Sequence, residues 1–266
     1  MQEAVTGLGD QLLGSGLARG AAARGKRIAF GDGERILWDE HSRMIFAGNP
    51  NVAHPGTEKL GNIQWIPFYK GHRIYNTAGP GHWVWNYEFR AIPGQVYLTN
   101  PERVRGARAK KGWVLIEPNV ERWKSVAVNK DWGFARYQRV ADALRDAGHR
   151  VVQFNYGSGA GLMNVETFRT VSFRDALALL ANAALYIGPE GGLHHGAAAV
   201  GTPAVVLYGG FVPPEVTGYD THTNLTGGAT ACGSLQACAH CQAALDAITV
   251  DAVLAAATGH LTKHVA

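Results

Sequence analysis

Two glycine-rich junctions carry the residue types best suited to chemistry. The first is Gly7-Leu8-Gly9-Asp10-Gln11-Leu12. A dinucleotide fingerprint needs glycine at its sixth position for close helix packing, and Leu12 stands there, so a nicotinamide site is excluded. Asp10 has two readings. As an N-cap it satisfies backbone N–H groups, a contribution of about 1 kcal/mol. As a carboxylate kept ionised by a helix dipole at a cleft mouth, it can take a proton from a hydroxyl.

The second junction runs Gly188-Pro189-Glu190-Gly191-Gly192-Leu193-His194-His195-Gly196-Ala197-Ala198-Ala199, followed by Gly201-Thr202-Pro203. A strand empties into glycines and then into a helix of small residues. This leaves N–H groups free and lets backbone approach a ligand closely, the makings of an anion site. His194 and His195 fit a hydrogen-bonding role better than a metal. Adjacent residues rarely point at one ion, and no carboxylate pair lies nearby in sequence.

Cys232, Cys238, His240 and Cys241 are ligand-type side chains, but the spacing C-x5-C-x-H-C is not a common zinc pattern, and buried thiols are the expectation. Trp65, Trp83, Trp85, Trp113, Trp123 and Trp132 share a region with Lys70, Arg73, Arg90, Arg103, Arg105, Arg108, Lys110 and Lys111. Much of that set reads as core and solvated surface. Its functional reading is an acceptor platform, with Trp83 and Trp85 stacking on sugar or base and Arg105 holding phosphate.

The elements that must position these groups follow from periodicity. Residues 3 to 6 read as a strand, and Leu12, Leu13, Leu17 and Ala21 recur at helical spacing as far as Gly25. Ile28-Ala29-Phe30 reads as a second strand, and the stretch from Trp65 to Trp113 yields no clear elements. Trp113 to Glu117 is a short apolar run suited to a strand buried on both faces. A helix ended by Gly148, a strand at Val151 to Phe154, and a helix capped by Ser172 and Asp175 follow. After them come a strand at Leu185 to Gly188, the small-residue helix, and a strand at Ala204 to Tyr208. This alternation argues a parallel sheet covered by helices. A break near residues 103 to 112 divides the chain into an amino-terminal α/β domain, 1–107, and a carboxyl-terminal one, 108–266. The last helix is expected to pack back on the amino-terminal domain, with ligands bound in the cleft between the two.

The 266 residues, 46% hydrophobic and 17% charged, describe an ordinary globular protein. The formal net charge of +4 permits a polyanionic partner without demanding one. No run approaches a membrane span, and Asp10 and Arg19 interrupt the first twenty positions, which argues against an export signal. Three clustered cysteines do not suit a secreted disulfide scaffold, so a reducing cytoplasm is expected.

Five features in order carry a resemblance. Gly9-Asp10 after a short strand, Lys130-Asp131-Trp132 ahead of a helix, Glu190 to Ala199, Gly201-Thr202-Pro203, and late cysteines before Ile248 and Val253 together resemble the heptosyltransferase-like glycosyltransferases of family 9. The resemblance implies a GT-B fold, two Rossmann-like domains with parallel sheets facing a central cleft. It implies that Asp10 is the general base on an acceptor hydroxyl, that Lys130 contacts the donor diphosphate, and that Glu190, Gly191, Gly192, Leu193, His194 and His195 line the nucleotide-sugar pocket. The family's Asp-Thr/Ser-Gly-Leu pattern stands here as Glu190-Gly191-Gly192-Leu193, with a longer acid and one hydroxyl fewer. The nearest approach to an Asp-x-Asp metal motif is Asp32-Gly33-Glu34 in a turn, so the expected transfer is inverting and metal-independent, with no cofactor beyond the nucleotide sugar. The acceptor is a lipopolysaccharide core or other surface glycan, or alternatively a hydroxylated base of DNA extruded from the duplex. A non-catalytic nucleotide- or nucleic-acid-binding module on the same fold is the reading from a different class.

Overall fold

In the computed structural model, residues 7–68, 73–121, 124–157 and 159–262 are described. The expected strand at residues 3 to 6, Lys70 and Trp123 lie outside them. Helix α1 (Leu8–Ala22) buries Leu12, Leu13 and Ala21 as its spacing predicts, but Leu17 of the expected stripe is only half-buried and Ala18 is buried beside it. Its N-cap is Gly7, and Asp10 sits three residues in, its Oδ2 accepting from the Gly7 N–H at 2.9 Å. Asp10 is therefore not the N-cap; it closes the first turn from inside.

Strand β1 (Arg27–Gly31) leads to α2 (Glu40–Phe46), capped by Asp39, and then to β2 (Ile63–Pro67), which pairs with β1 in parallel. An antiparallel hairpin, β3 (Asn76–Gly79) and β4 (His82–Trp85), turns through Gly81 at φ +71°, a left-handed conformation that favours glycine. Helix α3 (Asn100–Ala107) opens on a Thr99–Glu102 capping box. The amino-terminal part thus holds two small sheets among the described residues.

The carboxyl-terminal part begins with β5 (Trp113–Ile116), a 3-10 turn (Ala127–Lys130), α4 (Phe134–Asp146) and β6 (Val151–Asn155). Next come β7 (Glu166–Arg169), α5 (Phe173–Leu180), β8 (Ala183–Pro189), α6 (Gly192–Val200) and β9 (Ala204–Leu207). The chain closes through α7 (Pro214–Thr217), β10 (His222–Leu225), α8 (Ala239–Ala247) and α9 (Val250–Leu261). Among the described residues these strands form a six-stranded, wholly parallel sheet in the order β10-β9-β8-β5-β6-β7. Strands β7 and β10, both at sheet edges, add to those read from the sequence.

Alternate residues of the central strands feed opposite faces. Val114, Ile116, Leu185, Ile187, Val205 and Leu207 pack under α4 and α9. Trp113, Leu115, Val152, Tyr186, Ala204 and Val206 pack with Ala176, Leu180 and Ala197 of α5 and α6. Helix α9 corrects an expectation: Val250, Val253, Ala257 and Leu261 close the first of these faces, so the helix lies on the large sheet and not on the amino-terminal part. No single described helix is long and apolar enough to cross a membrane; α8 and α9 reach that composition only as a pair bent by 60°.

The two parts share a core. Leu12, Phe30, Phe46 and Phe68 pack in one cluster with Leu177 of α5 and Val216 of α7. Arg174, at the start of α5, donates to both carboxylate oxygens of Glu102 at 2.6 and 2.8 Å and to the carbonyls of Met44 and Tyr97, each at 2.7 Å. That clasp holds Glu102 down to about 2, chiefly through the Arg174 hydrogen bonds.

Candidate active site

The strand order reverses between β5 and β8, so a crevice is expected outside their carboxyl ends. Glu190 follows the end of β8, and Lys130 comes from the 3-10 turn that follows β5. Their side chains form an ion pair there. Burial pushes the Glu190 carboxyl up, but the Lys130 ammonium and the His195 ring outweigh it and hold the group below the ordinary carboxylate range. His195 Nε2 lies 3.3 Å from Glu190 Oε1, and its Nδ1 lies 2.9 Å from the Tyr219 hydroxyl.

Gly191 and Gly192 begin α6 and present its N-terminal N–H groups. The start of α1 abuts the same place. A Cβ built on Gly9 would meet His195 Cδ2 at 2.8 Å and the Gly192 backbone at 3.6 Å, so the two helix ends are in contact and a side chain here would force the His195 ring to shift. Two positive helix termini therefore converge on one point. Asp10 follows Gly9 in α1, its carboxylate turned back to the Gly7 N–H.

Asp10 is held from two further sides. Tyr75 donates its hydroxyl to Oδ1, and Arg73 Nη2 lies 3.2 Å from Oδ2. The Arg73 guanidinium stacks 4.7 Å from the Trp83 ring centre. Burial, and then the Asp10 charge, push the Tyr75 phenol well above its ordinary value, so it stays a donor. Tyr75 was missed in the sequence and Arg73 was seen only within a basic cluster, because neither belongs to a local motif.

The remaining nominated residues scatter. Leu193 packs at the edge of the sheet core. His194 is fully buried, its ring centre 5.6 Å from Tyr208 and 5.2 Å from both Tyr219 and His222; burial, then the neighbouring His195 and His222, keep it neutral. Trp85 packs edge-on to Phe211, with its Nε1 buried. Arg105 pairs with Asp175 at 2.7 Å and ties α3 to α5, away from the Asp10 cluster.

Glu117, at the end of β5, is a second group the sequence did not single out. Burial pushes its carboxyl up to about 7, against hydrogen bonds from Asn119 and Gln153 to Oε1, while Oε2 is buried without a partner. Along the same sheet edge, a cavity of about 520 Å³ is lined by Asn155, Tyr156, Gly157, Arg169, Thr170 and Val171.

Two trios of metal-ligand side chains converge. The ligand atoms of Glu190, His194 and His195 lie within 4.8 Å of one another, but the Lys130 ammonium already occupies the carboxylate a cation would need. The thiols of Cys232, Cys238 and Cys241 meet the same distance limit.

A search of curated proteins gives no match. Among solved structures, the chain is similar to a family 9 glycosyl transferase from Veillonella parvula, at 16% identity and a TM-score of 0.50 over 64% of this chain and 54% of that one. It is also similar to ADP-heptose lipopolysaccharide heptosyltransferase II of E. coli, at 20% identity and a TM-score of 0.48 over 70% of this chain and 56% of that one. The iron-containing dodecameric heptosyltransferase TibC matches at 20% identity and a TM-score of 0.48 over 65% and 50%. The chain thus spans about half the length of each. The model of glycosyltransferase family 9 (heptosyltransferase) matches residues 84–248, from the β4 strand to the end of α8 and including Lys130 and the whole Glu190 to Ala199 segment, and the chain belongs to that family.

Proposed function

We propose that the protein transfers a sugar from a nucleotide-diphosphate-sugar donor to a hydroxyl acceptor, with inversion and without a catalytic metal. The observation that supports this reading is the meeting of the α1 and α6 N-termini at Gly9 and Gly192, with Asp10 next in sequence to Gly9 and with Lys130 on Glu190 just ahead of α6. Displacing a nucleoside diphosphate from an anomeric carbon needs a base for the incoming hydroxyl and positive potential for the departing charge. Asp10 Oδ1 receives one hydrogen bond, from Tyr75, and keeps a lone pair for the acceptor hydroxyl. Lys130 and the two helix ends receive the diphosphate, with Glu190 and His195 steadying the ammonium until it arrives. The cavity beyond β6 and β7 takes the nucleoside end. Arg73 on Trp83 faces the acceptor, a lipopolysaccharide core or another surface glycan, and the cytoplasm supplies the donor. The family's description makes a nucleotide-activated heptose the first donor to try.

A panel of nucleotide sugars, screened by thermal shift, identifies the donor. With that donor, Asp10→Asn is expected to lose roughly 100- to 10,000-fold in transfer rate while the thermal shift persists. Lys130→Ala is expected to lose the shift itself. Turnover unchanged in Asp10→Asn overturns the assignment of the base. Binding of nucleotide with no transfer or donor hydrolysis in the wild type favours a binding module instead.

A further inference from the structure

The three cysteines take no part in the chemistry above. Cys232 lies in the loop after β10, Cys238 is the N-cap of α8, and Cys241 sits in that helix's first turn. Cys232 Sγ is 3.3 Å from Cys241 Sγ and 3.8 Å from Cys238 Sγ. These separations are far beyond the roughly 2.05 Å of a disulfide. Three sulfurs each about 2.3 Å from one tetrahedral ion stand about 3.8 Å apart. Two edges of the triangle therefore stand close to that spacing, and the third lies within 4.8 Å.

Groups that are not ligands hold it in shape. The Cys232 N–H donates to Gly210 O at 2.9 Å, and the Cys238 N–H donates to Asn129 Oδ1 at 3.0 Å. Asn129 in turn donates through Nδ2 to Ser234 O at 3.0 Å and Gln236 O at 2.8 Å, fixing the loop between the first two cysteines. Cys232 and Cys238 are only partly buried, so an ion has a path in.

We propose that Cys232, Cys238 and Cys241 bind a single borderline-soft divalent transition-metal ion, zinc or iron(II), as a structural site. Each thiol releases its proton to solvent as its sulfur–metal bond forms, and no electron changes hands. Three thiolates and a dication leave one negative charge at the positive end of α8. His240 Nε2 is engaged with Thr230 O at 2.8 Å, so water completes the tetrahedron. The same loop meets the β3–β4 hairpin, where the Trp83 N–H donates to Gly233 O at 2.8 Å and the Leu235 N–H to Gly81 O at 3.0 Å. Asn129 directly precedes Lys130. The ion would fasten a strut between the hairpin and that lysine, and the proposal stands whether or not the chain transfers sugar.

The test uses the full chain, purified in reductant without chelator. Elemental analysis is expected to find zinc or iron in stoichiometric amount. Protein stripped by chelator and titrated with Co(II) is expected to develop sulfur-to-cobalt charge-transfer absorption and the intense visible bands of tetrahedral cobalt, saturating at a single ion per chain and erased by Zn(II). Cys241→Ser should lose these bands, whereas Lys130→Ala and His240→Ala should keep them. The wild-type titration stands even if the serine variant fails to fold. A cobalt spectrum that stays that of the hydrated ion, with all three thiols free to react with Ellman's reagent, overturns the site.

Discussion

The two parts of the molecule reach order by different means. In the carboxyl-terminal part, backbone pairing of six parallel strands does most of the positioning; Lys130 and Glu190 stand where the sheet topology puts them. In the amino-terminal part, short elements are tied by long-range side-chain bonds: Arg174 to Glu102, Tyr97 and Met44, Arg105 to Asp175, and Arg73 and Tyr75 to Asp10. The carboxyl-terminal part is therefore set by topology, while the amino-terminal part is set by individual side chains. Single substitutions should disorder the amino-terminal part far more readily than the carboxyl-terminal part.

The clasp is the sharpest place to break that contrast. Arg174→Ala leaves Glu102 and two carbonyls without their partner and is expected to cost roughly 2–3 kcal/mol, the range for losing part-buried hydrogen bonds to a charged group. Proteolysis should open the α2 and α3 region while the large sheet stays protected. In the wild type, the depressed Glu102 value means that the clasp stabilises fully above about 4.5 and loses its effect as pH falls toward about 2. A uniform loss of protection across both parts would dissolve the distinction.

Glu117 probes the other part. Its carboxyl is raised from 4.5 to about 7, so the folded state binds the proton more tightly than the unfolded chain does. Stability from this group is fully present below about 4.5, declines through about 7 and is absent above it. The shift corresponds to on the order of 3 kcal/mol. Glu117→Gln, measured by denaturant unfolding at several pH values, should flatten that decline and raise stability at pH above 7.

The smallest effect falls at the junction of the parts. Gly9→Ala forces a methyl against His195 and should cost about 1–3 kcal/mol, as overpacking does. It should also weaken nucleotide binding, since it pushes the α1 and α6 ends apart. A variant as stable as the wild type, with unchanged nucleotide affinity, would mean that the helix ends do not depend on close approach.

The same difference explains what was legible in the sequence. Trp113 to Ile116, Val151 to Phe154, Leu185 to Gly188 and Ala204 to Leu207 announced the sheet because strands buried on both faces are apolar without interruption. Edge strands escape that signal: Glu166–Arg169 is largely exposed and polar, and His222–Leu225 alternates weakly. The stretch from Trp65 to Trp113 stayed opaque because its elements are short and its order comes from partners far along the chain. Asp10, Lys130, Glu190 and His195 were visible as junction residues; the fold joins the last three by ion pair and hydrogen bond, while Asp10 pairs with Arg73 and Tyr75. Arg73 and Tyr75 were not, since only tertiary contact brings them to Asp10. The cysteine spacing pointed away from a metal, whereas the loop pinned by Asn129 closes the gap that the spacing leaves.

The Glu190 carboxylate sits just ahead of α6, where the α1 and α6 ends meet, already paired with Lys130. If Lys130 receives a phosphate as proposed, that phosphate must displace Glu190 first, so measured affinity is the difference between two competing pairings and not the full strength of either. Such built-in competition discourages casual occupancy by free phosphate or sulfate and reserves Lys130 for ligands that bring further contacts of their own.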